Sequence, residues 1–420
     1  MSDPRPAGSP RLDSAAAATA FQKEWFLGLA DRAREGEPIA LANADAPHEL
    51  LRALGIPYVV NQWWSSIISA KRAGGASLAA VAAQGLPDDS RQYDVLPLGA
   101  QELADGHAPW GGLPEPRFAI AERSGDVTHK IFERWGRRPG TETFLLSRTA
   151  AVPAPAGWWD RVAHDWEEVF GAARIDLLEG EIRMLAATLE QRVGRTLDLE
   201  ELAGIMALAN EQAEWNRRTR DLLATARPLP VAVTDIIPAV MVPQWHRGTP
   251  WAVAAARRLH DEVARRIDHG QAVFTGERRR LMWIGRGLWS DLDMYRSFQD
   301  EFGAVFVWSM YLAIAADGYA RYGDDPVRTL AARFVGLTDL LYVPPMSSSW
   351  YLKEALAHGV DGVVHLVADD TPAPGVITAA LEERGIPVLE IRASNADPRA
   401  TGDVRKRIAD FVRERVPADR

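Results

Sequence analysis

Short apolar runs that each hand over to a helical pattern recur at both ends of this 420-residue chain, and this alternation constrains the fold most. Near the start, Ile39 to Ala44 reads as a strand and Pro47 to Leu54 as a helix, with Asp45 as N-cap, Pro47 near N1 and Gly55 as C-cap. Ile56 to Val60 is the next strand, and Phe118 to Ala121 precedes a helix over Val127 to Trp135 and a strand at Thr143 to Leu146. A second series begins at Arg280, with strands at Leu281 to Ile284, Val305 to Val307, Gly362 to Leu366 and Val388 to Ile391, and a closing helix from Asp403 to Arg415. Strands in this alternation pair in parallel, because the crossover helices must cover both faces of the sheet. The expected fold is α/β, with two doubly wound Rossmann-like domains joined by a helical region.

The expected organisation has four parts. Residues 1–18 form a disordered tail, followed by a helix from Phe21 to Arg34 and a first α/β domain to residue 150. Residues 151–250 are a helical connection that ends in a linker or lid, because Arg227 to Pro250 holds five prolines. Residues 251–420 form the second α/β domain.

Net charge of -9 argues against nucleic acid as a partner. No apolar run is long enough to cross a membrane and the first residues lack a signal peptide's apolar stretch, so a cytoplasmic protein is expected. The chain has no cysteine, which removes disulfides, thiolate nucleophiles and any iron–sulfur cluster held by its own side chains. The nine histidines are scattered without ligand spacing, so no metal site is expected. Walker, G-x-S-x-G and H-E-x-x-H motifs are absent, and Gly285-Arg286-Gly287 lacks the third glycine of a dinucleotide loop.

Doubly wound sheets bind ligands at the carboxyl ends of their strands. Four loops meet that condition: Asn43-Ala44-Asp45, Asn61-Gln62-Trp63-Trp64-Ser65-Ser66, Glu122-Arg123-Ser124-Gly125-Asp126, and Ala368-Asp369-Asp370-Thr371-Pro372. Helix capping alone accounts for Asp45, Asp126 and Asp370. The tandem Trp beside two amides suits the floor of a pocket for a flat group, or equally a packed core. Ser347-Ser348-Ser349-Trp350 is read as lying in the loop after Leu340 to Val343, where a run of hydroxyls can cap a helix or bind an anion, capping being the simpler role.

Several blocks together resemble the 2-hydroxyacyl-CoA dehydratase and benzoyl-CoA reductase family. They are Pro47-His48-Glu49 through Gly55-Ile56-Pro57, Leu113-Pro114-Glu115-Pro116 followed by Gly125-Asp126, Lys130 and Glu133, and Glu301-Phe302-Gly303-Ala304-Val305. Asp361-Gly362-Val363-Val364-His365, Leu381 to Ile391, Gly402 and Arg407-Ile408-Ala409-Asp410-Phe411 complete the match. The resemblance implies two similar α/β domains, assembly with a homologous subunit (a homodimer being the alternative), and an acyl-CoA thioester bound beside a [4Fe-4S] cluster that a separate ATP-driven activator reduces. It also implies cluster cysteines near Ser90, Gly125 and Asp369, where this chain has none.

A cysteine-free member is therefore expected to bind no cofactor of its own and to take a CoA thioester, aromatic in view of Trp63 and Trp64, as substrate. Without a cluster, the accessible chemistry is that of the acidic α-proton, which needs a base and an oxyanion donor set. Glu49, Glu122, Asp369 and Asp370 are the candidate catalytic carboxylates. Asn43, Asn61, Gln62, Trp63, Trp64, Ser65, Arg123 and Ser124 are the candidate substrate-binding residues. The alternative is a non-catalytic subunit that completes the site of a cluster-bearing homologue.

Overall fold

A computed structural model describes residues 11–86, 92–103, 107–149, 153–342, 346–367, 374–394 and 401–417 of the protein. Two four-stranded parallel sheets form its frame. The first contains β1 (Ala40–Ala42), β2 (Tyr58–Val60), β3 (Phe118–Glu122) and β4 (Glu142–Leu146), in the spatial order β2-β1-β3-β4. The second contains β5 (Arg279–Ile284), β6 (Ala304–Trp308), β7 (Gly362–Val367) and β8 (Val388–Arg392), in the order β6-β5-β7-β8. Both wind outward from their first strand in opposite directions, so each has a switch point between its first and third strands. That is the doubly wound architecture the alternation predicts.

Helices α1 (Asp13–Arg34), α2 (His48–Ala53), α3 (Asn61–Ala70), α4 (Gly74–Ala83), α5 (Gln92–Ala100) and α6 (Asp126–Gly136) accompany the first sheet. The connection holds α7 (Trp158–Arg161), α8 (Trp166–Phe170), α9 (Ala172–Val193), α10 (Leu199–Thr225), α11 (Val233–Trp245) and α12 (Pro250–Asp268). The second sheet carries α13 (Gln299–Phe302), α14 (Met310–Asp317), α15 (Pro326–Tyr342), α16 (Met346–Ala357), α17 (Pro374–Glu382) and α18 (Thr401–Arg415). Among the described residues, no helix is long and apolar enough to cross a membrane.

Several local expectations are corrected. Of the tail expected over 1–18, the first ten residues lie outside the described residues, and helix begins at Asp13 rather than Phe21. Its first turn is anchored from α12, where the Glu262 carboxylate accepts from the backbone N–H groups of Asp13 and Ser14 at 2.9 and 3.0 Å. That carboxylate replaces a local cap, which the sequence pattern does not supply. The Asn61 run is not a loop, because β2 ends at Val60 and α3 starts at Asn61 with no connecting residue. Leu340 lies in α15 and Ser347 to Trp350 in α16, so the serines are helical rather than in a loop; Val343 is outside the described residues.

The proline-rich stretch is the largest departure. Val233 to Trp245 forms a helix that contains Pro238 and Pro243, and nearly all of its residues are buried. An apolar surface on every side requires burial, and the neighbouring elements α1, α12 and α14 provide it. What reads as a linker is the central helix.

Asp45 does not cap α2, which starts at His48 with Pro47 in the N-cap position and no side-chain cap. Asp126 is the first residue of α6, after Gly125, and also makes no cap bond. At Gly285 the turn after β5 needs glycine: its φ is +104° and a Cβ would lie 2.7 Å from the Leu366 carbonyl oxygen. Gly99 is needed for another reason. A Cβ there would sit 2.7 Å from the carbonyl carbon of Ser77 and closer still to its oxygen, where α5 crosses α4. Gly99→Ala is expected to push the helices apart and destabilise the fold by about 1–3 kcal/mol, read as a lower denaturant midpoint.

Candidate functional site

The carboxyl ends of both sheets face one cavity of about 440 Å³. Ala44 and Asp45 reach it from the end of β1, Gln62, Trp63 and Ser66 from α3 after β2, Arg286 and Trp289 from the turn after β5, and Met310 and Tyr311 from α14 after β6. Helix α11 forms a further wall with Ile237, Pro238, Met241 and Trp245. The lining is mostly apolar and aromatic, with Trp63, Tyr93, Trp110, Trp245, Trp289, Tyr311 and Tyr319 around it. Such a surface suits a flat apolar group held by a few polar contacts.

Those polar contacts are positioned by neighbouring side chains. The Gln62 carbonyl oxygen accepts from the Ala44 N–H at 2.8 Å, which fixes the loop that carries Asp45. Tyr93 donates its hydroxyl to the Gln62 backbone oxygen at 2.7 Å, and burial pushes its phenol well above the ordinary range. The Arg286 guanidinium lies over the Tyr93 ring at 4.6 Å and pairs with Asp94 at 3.3 Å. Arg11 and Arg296 also line the cavity, as do Asp45, Asp235 and Asp293, so three guanidinium groups face it beside three carboxyl groups.

The acidic groups occupy two settings. Glu49 is fully enclosed: Arg247 donates to it at 2.5 and 3.3 Å and Arg333 donates from α15. These two guanidinium groups hold its carboxyl well below the usual range despite burial. His48 donates from Nε2 to the Asn43 carbonyl at 2.7 Å and accepts from Arg247 at Nδ1, 2.8 Å away, so its ring is neutral. Burial and Arg247 both lower its pKa. Glu49 does not line the cavity, although Arg247 lies 4.8 Å from the centre of the Tyr319 ring, which does.

Glu122 ends β3 and is nearly inaccessible, with a hydrogen bond to Asp45 and one from the Thr338 hydroxyl at 3.0 Å. Burial, and then the Asp45 charge, push its pKa up to about 8, against the pull of Arg148 at 4.0 Å. Asp45 and Thr338 line the cavity, and Glu122 stands behind them.

The predicted binding residues divide. Gln62 and Trp63 line the cavity. Trp64 is core, fully buried and stacked on Phe26 at 4.5 Å. Asn61 donates to the Asp94 carbonyl and Ser65 to the Asn61 carbonyl, both away from the cavity. Asn43 is buried and its backbone, not its side chain, holds His48. Arg123 is exposed and Ser124 bonds Thr128, and neither lines the cavity. Asp369 and Asp370 lie outside the described residues.

Sequence reasoning missed Asp45, because an Asp ahead of a helix reads as a cap, and it missed α11, because prolines read as a linker. The rule that parallel strands present ligands at their carboxyl ends did locate the Asp45 loop.

The donors present do not fit an iron–sulfur cluster held by this chain. No thiolate exists in it, Gly125 offers no side chain, and Ser90 and Asp369 lie outside the described residues. Among the described residues, no three His, Asp or Glu side chains gather as a metal site.

The family model described as 2-hydroxyglutaryl-CoA dehydratase, D-component, matches residues 43–414, from the end of β1 through nearly all of α18. A curated relative, the (R)-phenyllactyl-CoA dehydratase alpha subunit of Clostridium sporogenes, is 20% identical over 371 residues, covering 87% of this chain and 86% of the relative. With the match running through both sheets and the cavity between them, the chain belongs to the 2-hydroxyglutaryl-CoA dehydratase D-component family.

Proposed function

We propose that the protein binds an acyl-CoA thioester in the cavity between the two sheets and acts on it as a lyase or hydratase without a cluster of its own. The observation that carries this reading is the lining itself: an apolar, aromatic chamber of about 440 Å³ at the carboxyl ends of both sheets of a dehydratase-family chain. Trp63, Trp110 and Trp289 suit an aryl acyl group, and Arg11, Arg286 and Arg296 suit the phosphates of coenzyme A. Glu49 is assigned a structural role, since both of its oxygens are taken by guanidinium groups.

Binding is testable with phenylacetyl-CoA. A hundredfold excess over Kd adds about 2.7 kcal/mol to the folded state, so the melting temperature is expected to rise by roughly 3–5 °C. Free coenzyme A and phenylacetate, each offering half of the contacts, are expected to give much smaller shifts. Equal shifts from all three, or none from the thioester, would remove the assignment.

One observation favours a second reading. The curated relative is named a subunit, which accords with a chain that completes the site of a homologous, cluster-bearing partner. In that case the thioester still binds, but turnover requires the partner.

A further inference from the structure

We propose that Asp45 exchanges a proton with the α-carbon of the bound acyl thioester and that Glu122, behind it, is the positioning residue that shares this proton. The inference rests on the acyl-thioester reading above and adds to it the residue that touches the reacting carbon.

The placement follows from the sheet. Strands β1 and β3 are adjacent and parallel, with Ala42 opposite Ile120, and the first sheet reverses its winding between them. The loop after β1 therefore rises beside the last residue of β3, which brings Asp45 against Glu122. A ligand crevice is expected at that switch point, and the cavity is found there.

Two carboxyl groups joined by a hydrogen bond need one proton between them, because two carboxylates have only acceptors. The surroundings hold that proton in place. Glu122 is cut off from water, and Thr338 donates to its Oε2 at 3.0 Å. The charged groups around the pair come from several elements, including the Glu49, Arg247 and Arg333 network that shares Tyr319 with Asp45. Arg148, after β4, approaches Glu122 to 4.0 Å, and Arg174 of α9 is occupied by Asp339 of α15 at 2.6 Å. Tyr319 lies near enough to feel the Asp45 charge. The Arg148 charge lowers the Glu122 pKa without offsetting burial and the Asp45 charge, so Glu122 keeps its proton up to about pH 8.

At neutral pH the pair thus holds one carboxylate and one carboxylic acid. The Asp45 carboxylate takes the α-proton, and the C–H electron pair moves into the thioester as an enolate. For a 3-hydroxyacyl thioester, the enolate pair then forms the C2–C3 double bond, the C3–O bond breaks, and the departing hydroxide takes a proton from the pair to leave as water. The pair ends with the same single proton it began with, and no electron donor is required.

The test is α-hydrogen exchange of phenylacetyl-CoA in D₂O, followed by proton NMR with the full chain. The wild-type protein is expected to exchange the α-hydrogens, with a rate that falls above about pH 8, where the second negative charge opposes the enolate. Asp45→Asn is expected to lose at least about 100-fold in rate while keeping its thermal shift with phenylacetyl-CoA. Glu122→Gln, which can still accept from Thr338 and donate to Asp45, is expected to keep measurable exchange and lose the decline near pH 8. Exchange unchanged in Asp45→Asn, or absent from a wild-type protein that binds the thioester, overturns the proposal and leaves the binding reading standing. A decline that survives in Glu122→Gln overturns the role of Glu122. Absence of binding overturns both.

Discussion

Glu49→Ala is expected to destabilise the protein by about 3–5 kcal/mol, because it breaks a buried ion network at its centre. Glu49 sits at the centre of a closed ion network with Arg247 and Arg333, all three nearly without solvent contact. Removing the carboxylate leaves two buried guanidinium charges facing each other without a counter-ion. Burial already lowers the pKa of Arg333, and Glu49 is the charge that opposes that shift. The network also joins distant elements, since Glu49 lies on α2, Arg333 on α15, and Arg247 follows α11. Arg52 donates to the Arg247 carbonyl at 2.9 Å and so ties the same loop to α2 again. Glu49→Gln should be milder, because its amide keeps the shape and one acceptor. Urea denaturation of both variants checks this; a loss below about 1 kcal/mol for the alanine form would contradict the account.

The second large effect is a pH dependence of stability that Glu122 alone should produce. Its carboxyl titrates near pH 8 in the folded chain against about 4.3 when unfolded. The folded state therefore binds more protons between those values. The contribution is fully present below about pH 4 and is lost as pH rises through 8. Each unit of separation is worth about 1.4 kcal/mol, and the coupling with Asp45 spreads the change, so about 3–5 kcal/mol is expected. The buried histidines act in the opposite sense. His48, His246 and His365 have lowered pKa values, so they favour the folded state at neutral pH and lose that contribution as pH falls below about 6.5. Stability should thus peak near pH 6–7 and decline toward pH 9. In Glu122→Gln the decline should vanish, leaving the variant more stable than wild type at pH 9. Equal slopes for the two proteins between pH 6 and 9 would contradict the shared proton.

Much of the frame was legible because parallel strands buried on both faces are near-continuous apolar runs. Leu281 to Ile284 and Gly362 to Leu366 announce themselves in this way, and their helices follow. What was not legible depended on partners distant in sequence. The N-terminus of α1 is completed by Glu262, about 250 residues away, so no local cap marks it. Pro238 and Pro243 argue for a break, yet α11 is apolar all round and is stabilised by burial rather than by backbone propensity. The tandem Trp carries no signal to separate its members. Successive residues on a helix point about 100° apart, which turns Trp63 to the cavity and Trp64 to the core. Asp45 became significant only when β1 and β3 were neighbours, because its partner Glu122 is 77 residues away in the chain.

Proton transfer to and from an acyl thioester, with no cluster in this chain, is the proposed chemistry. The most direct measurement supplies 3-hydroxy-3-phenylpropanoyl-CoA to the purified full chain with neither reductant nor ATP, and follows the absorbance of the conjugated enoyl thioester. The account predicts that the product forms with a colourless, iron-free protein, and that Asp45→Asn abolishes it. Product that appears only after a cluster-bearing homologous subunit, reductant and ATP are added would contradict it.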